Sequence, residues 1–359
     1  MKNAIFFLLF LFCFWQANSQ NYLQEANACF DKGEYECAKN NYTLFAESDS
    51  TQDVSLQIQK TQRCLDLLAL ADRTFKNQAY AEARGNYKAL LDENPKDPQA
   101  KRKYYICRAL YNRFKTNALS AQGSSVYFVD YTETNANLKL EMVAVLGGTF
   151  TMGCTAEQGA NCNDDETSRQ ITLKNFYIGR YTITQAQWRE IMGDNPSNFT
   201  GDNLPVEQVS WKDVQKFLRK LNTITGRRYR LPTEAEWEFA SKGGIYSEQC
   251  RYSGSNNSDD VAWYEGNSDN KPHPVGSKNP NELGIYDMSG NVYEWCQDKY
   301  GAYSPFQKND PSGSPSGAYR VYRGGGWGYD AGRCRVSARN GCTADYSDDI
   351  VGFRIALSQ

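Results

Sequence analysis

The chain has 359 residues, 40% of them hydrophobic and 23% charged, long enough for more than one domain and at least one sizeable core. Forty Lys and Arg against 42 Asp and Glu leave a net charge of −2, so neither a basic footprint for nucleic acid nor an acidic solvating block is present. His273 is the sole histidine, which excludes any centre built from two or three imidazoles and leaves a Ser-His-Asp or Cys-His mechanism nowhere else to stand.

Residues 1–19 read MKNAIFFLLFLFCFWQANS. Lys2 supplies a positive start, Ala4 to Trp15 an apolar run too short to span a bilayer, and Ala17-Asn18-Ser19 a small-x-small cleavage site. This is the pattern of a signal peptide, with a mature chain beginning near Gln20 and exported to the periplasm, the cell surface or the medium. No other stretch is suited to cross a membrane. Export permits disulfides among the remaining cysteines; the local candidates are Cys29/Cys37, Cys154/Cys162 and Cys334/Cys342.

Residues 20–115 carry no strand pattern and are expected to be all helical. Phe30, Tyr35, Ala38 and Tyr42 recur 45 positions later as Phe75, Tyr80, Ala83 and Tyr87. The motif A-x3-F-x4-Y-x2-A-x3-Y resembles the tetratricopeptide repeat, whose usual period is about 34. The longer period calls for a longer second helix or an insertion in the first unit. The resemblance implies a module for protein docking, and it contains no catalytic constellation. A polar stretch, 116–140, is expected to be a linker.

From residue 141 to 359 the texture changes to short strands, frequent Gly and spaced Trp. Glu141–Gly153 reads as two strands around a Gly-Gly turn, and Gln170–Ile178 alternates as one further strand. Three capping boxes open helices: Thr184 with Gln187 (ending at Gly193), Ser210 with Asp213, and Thr233 with Glu236. The second helix carries Val214, Phe217, Leu218 and Leu221 on one face. The class is α+β and loop-rich.

The runs GGTFTMG (147–153), PVEQVSW (205–211), YRLPTEAEWEFA (229–240), GIYDMSGNVYEW (284–295), RVYRGGGW (320–327) and GFRIAL (352–357) occur together and in order. This combination resembles the formylglycine-generating-enzyme, or sulfatase-modifying factor, family, which implies a C-type-lectin-like fold for the C-terminal domain. Active members look like copper-dependent oxidases that convert a sulfatase cysteine to formylglycine at two thiolates, since Cu(I) prefers soft sulfur. Aligned on the glycines of 324–326, the first thiolate position holds Tyr329, and Gly326 replaces the family's Ser. Aligned on Arg335 and Arg339, the second thiolate has no counterpart. The resemblance therefore implies a domain without copper and without the oxidase site, with an active sulfatase-maturing oxidase as the alternative. A related branch of sulfoxide synthases needs three histidines and is excluded. His273 is expected to be a structural loop residue.

Asp287 and Glu294 bracket a Gly-Asn turn, an arrangement of hard oxygen donors that suits Ca²⁺. The resemblance implies the same set: side chains of Asp287 and Glu294, backbone oxygens of Gly290 and Val292. Asp259, Asp260 and Asn267 are spaced too loosely to assign as a second site. Residues 328–349 lack Lys, Glu, Gln, Met and Trp and are rich in Tyr, Asp, Asn, Ser, Arg and Gly, the palette of recognition loops. That segment resembles the variable region of diversity-generating-retroelement proteins, which implies a diversified lectin-fold receptor as a further alternative. The expected face is Trp327, Tyr329, Asp330, Arg333, Asn340, Tyr346 and Asp348, contacting a protein or a surface ligand. The expectation is an exported binding or assembly component of the cell envelope.

Overall fold

The computed structural model describes residues 20–48, 53–121, 129–135, 137–159, 162–304 and 306–359. The expected signal peptide lies outside the described residues. Contacts divide the chain into two units after residue 111. Among the described residues no helix is long and apolar enough to cross a membrane.

The first unit is helical: α1 (20–31), α2 (Tyr35–Ser48), α3 (Ser55–Lys76), α4 (Tyr80–Glu93) and α5 (Pro98–Ala121). The recurrence in sequence is a recurrence in space. Phe30 meets Tyr35 edge-on at 5.6 Å, and Phe75 meets Tyr80 edge-on at 5.8 Å. Tyr42 donates its hydroxyl to Asn27 and Tyr87 donates to Asp72, the equivalent residue of the second hairpin. Each hairpin turns through one left-handed residue, Gly33 and Gln78. Tyr35, Tyr42 and Tyr87 are buried, as core positions require. Of the two origins expected for the long period, the longer second helix is not seen: α2 has 14 residues, and α3 runs to 22. A Cys29–Cys37 disulfide staples α1 to α2.

Residues 116–140, expected as a linker, are partly structured. Helix α5 continues to Ala121, and β1 (Tyr131–Asn135) pairs antiparallel with β2 (Leu138–Val145). Strand β2 also pairs with β5 (Phe176–Gly179), whose other edge takes β10 (Ala356–Ser358). A separate two-stranded sheet joins β3 (Gly148–Met152) to β4 (Arg169–Leu173). The two strands expected around Gly147-Gly148 form and enter different sheets. The single strand expected over Gln170–Ile178 is corrected to two strands in two sheets. Both segments change sheet where they cross. A Cβ on Gly147 would lie 2.2 Å from the Leu173 carbonyl oxygen, so only glycine allows the approach, and the Gly147 N–H donates to Asn175 Oδ1 at 2.9 Å.

All three capping boxes form, opening α6 (Gln185–Met192), α7 (Trp211–Thr225) and α8 (Glu234–Ser241). Helices α6 and α7 stop at left-handed Gly193 and Gly226. Val214, Phe217, Leu218 and Leu221 of α7 are buried as expected, each stabilising by roughly 1.5–3 kcal/mol relative to exposure. A third sheet, in the order β8-β7-β6-β9, is built from β6 (Tyr293–Lys299), β7 (Tyr319–Arg323), β8 (Arg339–Thr343) and β9 (Val351–Gly352). Cys154 and Cys162 are bonded, whereas Cys334 and Cys342 are both free thiols, contrary to the candidate pair. Cys334 packs with Tyr252, Val261 and Ala262, while Cys342 borders the larger core cluster containing α7, so different neighbours hold them.

Candidate ligand face

The two sides of the β6-β7-β8 sheet carry different chemistry, because cross-strand partners share a side and successive residues alternate. Glu294, Arg323 and Arg339 are in register across the three strands and point inward. There Arg323 pairs with Glu238 and Glu234, and Arg339 donates to both oxygens of Glu234 at 2.8 Å. Trp295, Tyr322 and Asn340 are in register on the other side. Tyr322 meets Tyr293 edge-on at 4.7 Å and Trp295 at 5.3 Å, so an aromatic row runs outward from a buried tryptophan.

The loops after β7 and β8 extend that row. Tyr329 is 42% exposed and rests edge-on against Tyr293 at 5.5 Å. Trp327 is half-buried, edge-on to Phe199 at 5.6 Å, and its indole donates to the Asp349 carbonyl at 3.1 Å. Tyr346 donates to Asp348 Oδ2 at 2.6 Å. Asn340 sits opposite Tyr322, and exposed Arg333 projects its charge toward Tyr293 and Tyr322. Asp330 has local work: its carboxylate accepts from the Gly332 N–H at 2.7 Å and caps the short turn that carries Arg333. Sequence reasoning missed Tyr293 and Tyr322, which alternate within ordinary strands, and Phe199 and Glu207, which come from a distant loop with no local signal.

The face is electrostatically uneven. Glu207 is fully buried and accepts the backbone N–H groups of Asn198 (3.0 Å) and Phe199 (2.8 Å). Burial nevertheless pushes its carboxyl up to about 7, with Asp349 and Asp348 adding in the same direction. Asp349 is raised by burial and then by neighbouring Asp348. Burial lifts the Tyr322 phenol to about 12.

The expected calcium donors have another use. Glu294 Oε1 accepts from Thr182 Oγ1 (2.7 Å) and Arg354 Nη2 (2.8 Å); Oε2 accepts from Trp237 Nε1 (2.7 Å) and Arg354 Nε (2.6 Å). A carboxylate offers about four lone-pair sites, and here four donors occupy them. Asp287 accepts the Gly276 N–H at 2.7 Å, and burial raises its carboxyl to about 6. Gly290 is pinned by its N–H on the Gly324 carbonyl (2.7 Å) and by the Trp263 backbone, and Val292 is buried. At Glu294 the positive charge in this structure comes from Arg354. Around Asp259, the Asn267 amide donates to the carboxylate (3.2 Å) and Tyr264 does the same (2.9 Å), a turn held together by its own bonds.

The sulfur chemistry is equally committed. Tyr329 stands where the resemblance puts the first copper thiolate. Burial pushes the Cys334 thiol up to about 12 and the Cys296 thiol well above its ordinary value, so neither is a ready thiolate. His273 stacks on Trp263 at 3.7 Å, and its Nε2 lies 2.8 Å from the Ser268 carbonyl oxygen, which makes it part of the loop's packing.

The sulfatase-modifying factor enzyme 1-like domain matches residues 128–359. The chain is similar to the chaperone protein LppX of Paenibacillus barcinonensis, 33% identical over 278 residues, covering 64% of this chain and 93% of that one. It is 36% identical over 193 residues to the formylglycine-generating enzyme of Streptomyces coelicolor, covering 48% of this chain and only 59% of the enzyme. Among solved structures, Treponema denticola variable protein 1 superposes with a TM-score of 0.59 at 29% identity, covering 64% of this chain and 99% of that one.

Proposed function

Because the chain belongs to the sulfatase-modifying factor family, with that family's C-type-lectin-like domain over most of its length, we propose that this domain is a binding module and not a cysteine oxidase. In this reading the Tyr-rich C-terminal face, around Trp327, Tyr329, Asn340, Tyr346 and Asp348, takes a protein or surface ligand. The observation that supports it is Tyr329: an exposed phenol seated on Tyr293 stands where the resemblance puts the first thiolate, and burial pushes the thiol of the nearest cysteine in sequence, Cys334, up to about 12. Two sulfur ligands are needed to hold Cu(I), and a phenol does not replace one. The experiment is incubation of copper-treated protein with a sulfatase-motif peptide. No change in peptide mass is expected; appearance of the aldehyde product would establish the rival reading, a working sulfatase-maturing oxidase. Tyr329→Cys alone should not create activity, since one thiolate is not two.

The same reading makes the protein an exported component of the cell envelope, with the helical unit as a second docking module. Two disulfides, Cys29–Cys37 and Cys154–Cys162, support an oxidising compartment. The fold shared with a Treponema variable protein supports a diversified receptor, in which the residues of 328–349 vary between copies while the paired arginines stay. A near-copy of the 3′ coding sequence beside the gene would support that version, and its absence would remove it.

A further inference from the structure

Among the described residues the acidic end of this face holds no ion pair, although Arg333 lies near enough to act on Tyr322 from the same face. Asp348 and Asp349 follow each other in the loop after β8, and Glu207 lies in the loop before α7. The two loops are tied together: the Gln208 N–H donates to the Asp348 carbonyl at 2.9 Å, and Asn198 bonds both Glu207 (3.0 Å) and Asp349 (3.1 Å). Among the described residues no Lys or Arg pairs with Glu207, Asp348 or Asp349. The contrast inside the domain is sharp, since Glu166, Glu234, Glu238 and Glu294 each have an arginine. The nearby Lys212 is engaged with Asp345 at 2.6 Å. Aromatic groups wall the same spot: Trp327 bonds the Asp349 backbone, Phe199 packs against Trp327, and Tyr346 bonds Asp348.

This is an anionic, aromatic-lined surface, and its oxygens do not converge on one metal-sized point. Among the described residues the sole cluster of three metal-type ligands is Cys29, Glu34 and Cys37, elsewhere in the chain. The uncompensated charge therefore suits a wider cation. A guanidinium is planar, spreads its charge over several N–H donors, bridges two carboxylates and stacks on aromatic rings, whereas an ammonium is compact and strongly hydrated.

Resting on the reading of this face as the binding site, we propose that it docks a basic segment of a partner protein through an arginine side chain, received by Asp348 and Asp349 against the rings of Trp327 and Tyr346. A partner charge placed there supplies the kind of pairing that Glu166, Glu234, Glu238 and Glu294 already have.

The test uses the whole chain and a fluorescein-labelled peptide of alternating Gly and Arg, read by anisotropy at about 0.15 M salt so that long-range attraction is screened. The arginine peptide should bind, a Gly-Lys peptide more weakly, and a Gly-Glu peptide not at all. Asp348→Asn combined with Asp349→Asn should weaken arginine-peptide binding at least about tenfold. Both changes keep an oxygen acceptor for Tyr346 and Asn198, so melting should be unchanged. Ser347→Lys, at the exposed position between Tyr346 and Asp348, should weaken binding independently by placing a competing cation. Failure of the arginine peptide to bind, equal binding by the double variant, or equal binding of the glutamate peptide would overturn the proposal. Should the carboxylate variants bind normally while Tyr329→Ala and Tyr346→Ala lose binding, the arginine assignment falls and the face remains the site. Should neither set matter, both fall.

Discussion

Two sets of charged residues interleave along residues 320–357, and they behave oppositely. Arg323, Arg335, Arg339 and Arg354 are at most 4% exposed, and each faces a buried glutamate. Asp330, Arg333, Asp348 and Asp349 are exposed or half-exposed; the carboxylates meet hydroxyls, amides and backbone, and Asp349 also meets Asp348. One set is scaffold and the other is surface. A charge count cannot separate them; strand parity and the carboxylates brought in by α8 and distant loops do. The comparison teaches that a lectin-like domain with few regular elements can hold its loops by internal ion pairs, leaving neighbouring positions free to take recognition chemistry.

The largest effect should come from breaking the scaffold. Glu294→Ala strands Arg354 without a counter-charge in the core and removes the acceptor for Trp237, so it should cost about 3–5 kcal/mol. Every tryptophan after the first 19 residues lies beyond residue 187, so tryptophan fluorescence during urea unfolding reports the family domain alone. Replacing the pair together, as Glu294→Gln with Arg354→Met, should cost less than Glu294→Ala, because no lone charge remains. A double variant that costs the sum of the two single ones would deny that the pair acts as a unit.

Next in size is the response to pH. Burial raises the carboxyls of Asp287 (to about 6), Glu207 (to about 7) and Asp298 (to about 8). Each therefore binds its proton more tightly folded than unfolded, so its contribution falls as pH rises through the window from about 4 to 8. The paired Glu166 and Glu234 are lowered by their arginines and act in the other direction, losing their contribution only as pH falls below the ordinary carboxylate range. The domain should thus melt lower at pH 8 than at pH 5. Asp298→Asn, which keeps an acceptor for the Glu234 N–H (2.9 Å), should flatten that slope. An unchanged slope would show that Asp298 is ionised in the folded state.

Breaking the surface set should leave stability nearly untouched. Tyr329→Ala removes a ring that is 42% exposed, so unfolding should change by no more than about 0.5 kcal/mol while partner binding weakens at least about tenfold. A large loss of stability would place Tyr329 with the scaffold. The smallest expected effect is that of calcium. Melting in EDTA and in millimolar calcium should coincide if the Arg354–Glu294 pair holds that carboxylate closed. A shift of several degrees would show that the carboxylate opens to the metal.

Much of this was legible in the residues. The capping boxes at Thr184, Ser210 and Thr233 placed three helices because a cap is a local pattern of hydrogen bonds. The 45-residue recurrence placed both hairpins, down to the Tyr42–Asn27 and Tyr87–Asp72 bonds. Less legible were the pairings. Asp287 and Glu294 read as a calcium loop because their spacing suits oxygen ligands; that Arg354, 60 positions beyond, pairs with Glu294 has no local signal. Gln170–Ile178 read as one strand because alternation continues through the point where the chain changes sheet.

The sequence by itself determined the class of fold, the helices and the repeated hairpin, since these depend on neighbours within a few turns or on residue identity at motif positions. Only the tertiary structure decided which carboxylates are neutralised and which are not. Glu207 meets Asp348 and Asp349 through a contact between loops far apart in the chain, and burial there raises a carboxyl that would be ordinary in water. Desolvation and charge pairing are properties of the assembled interior, and no local pattern encodes them.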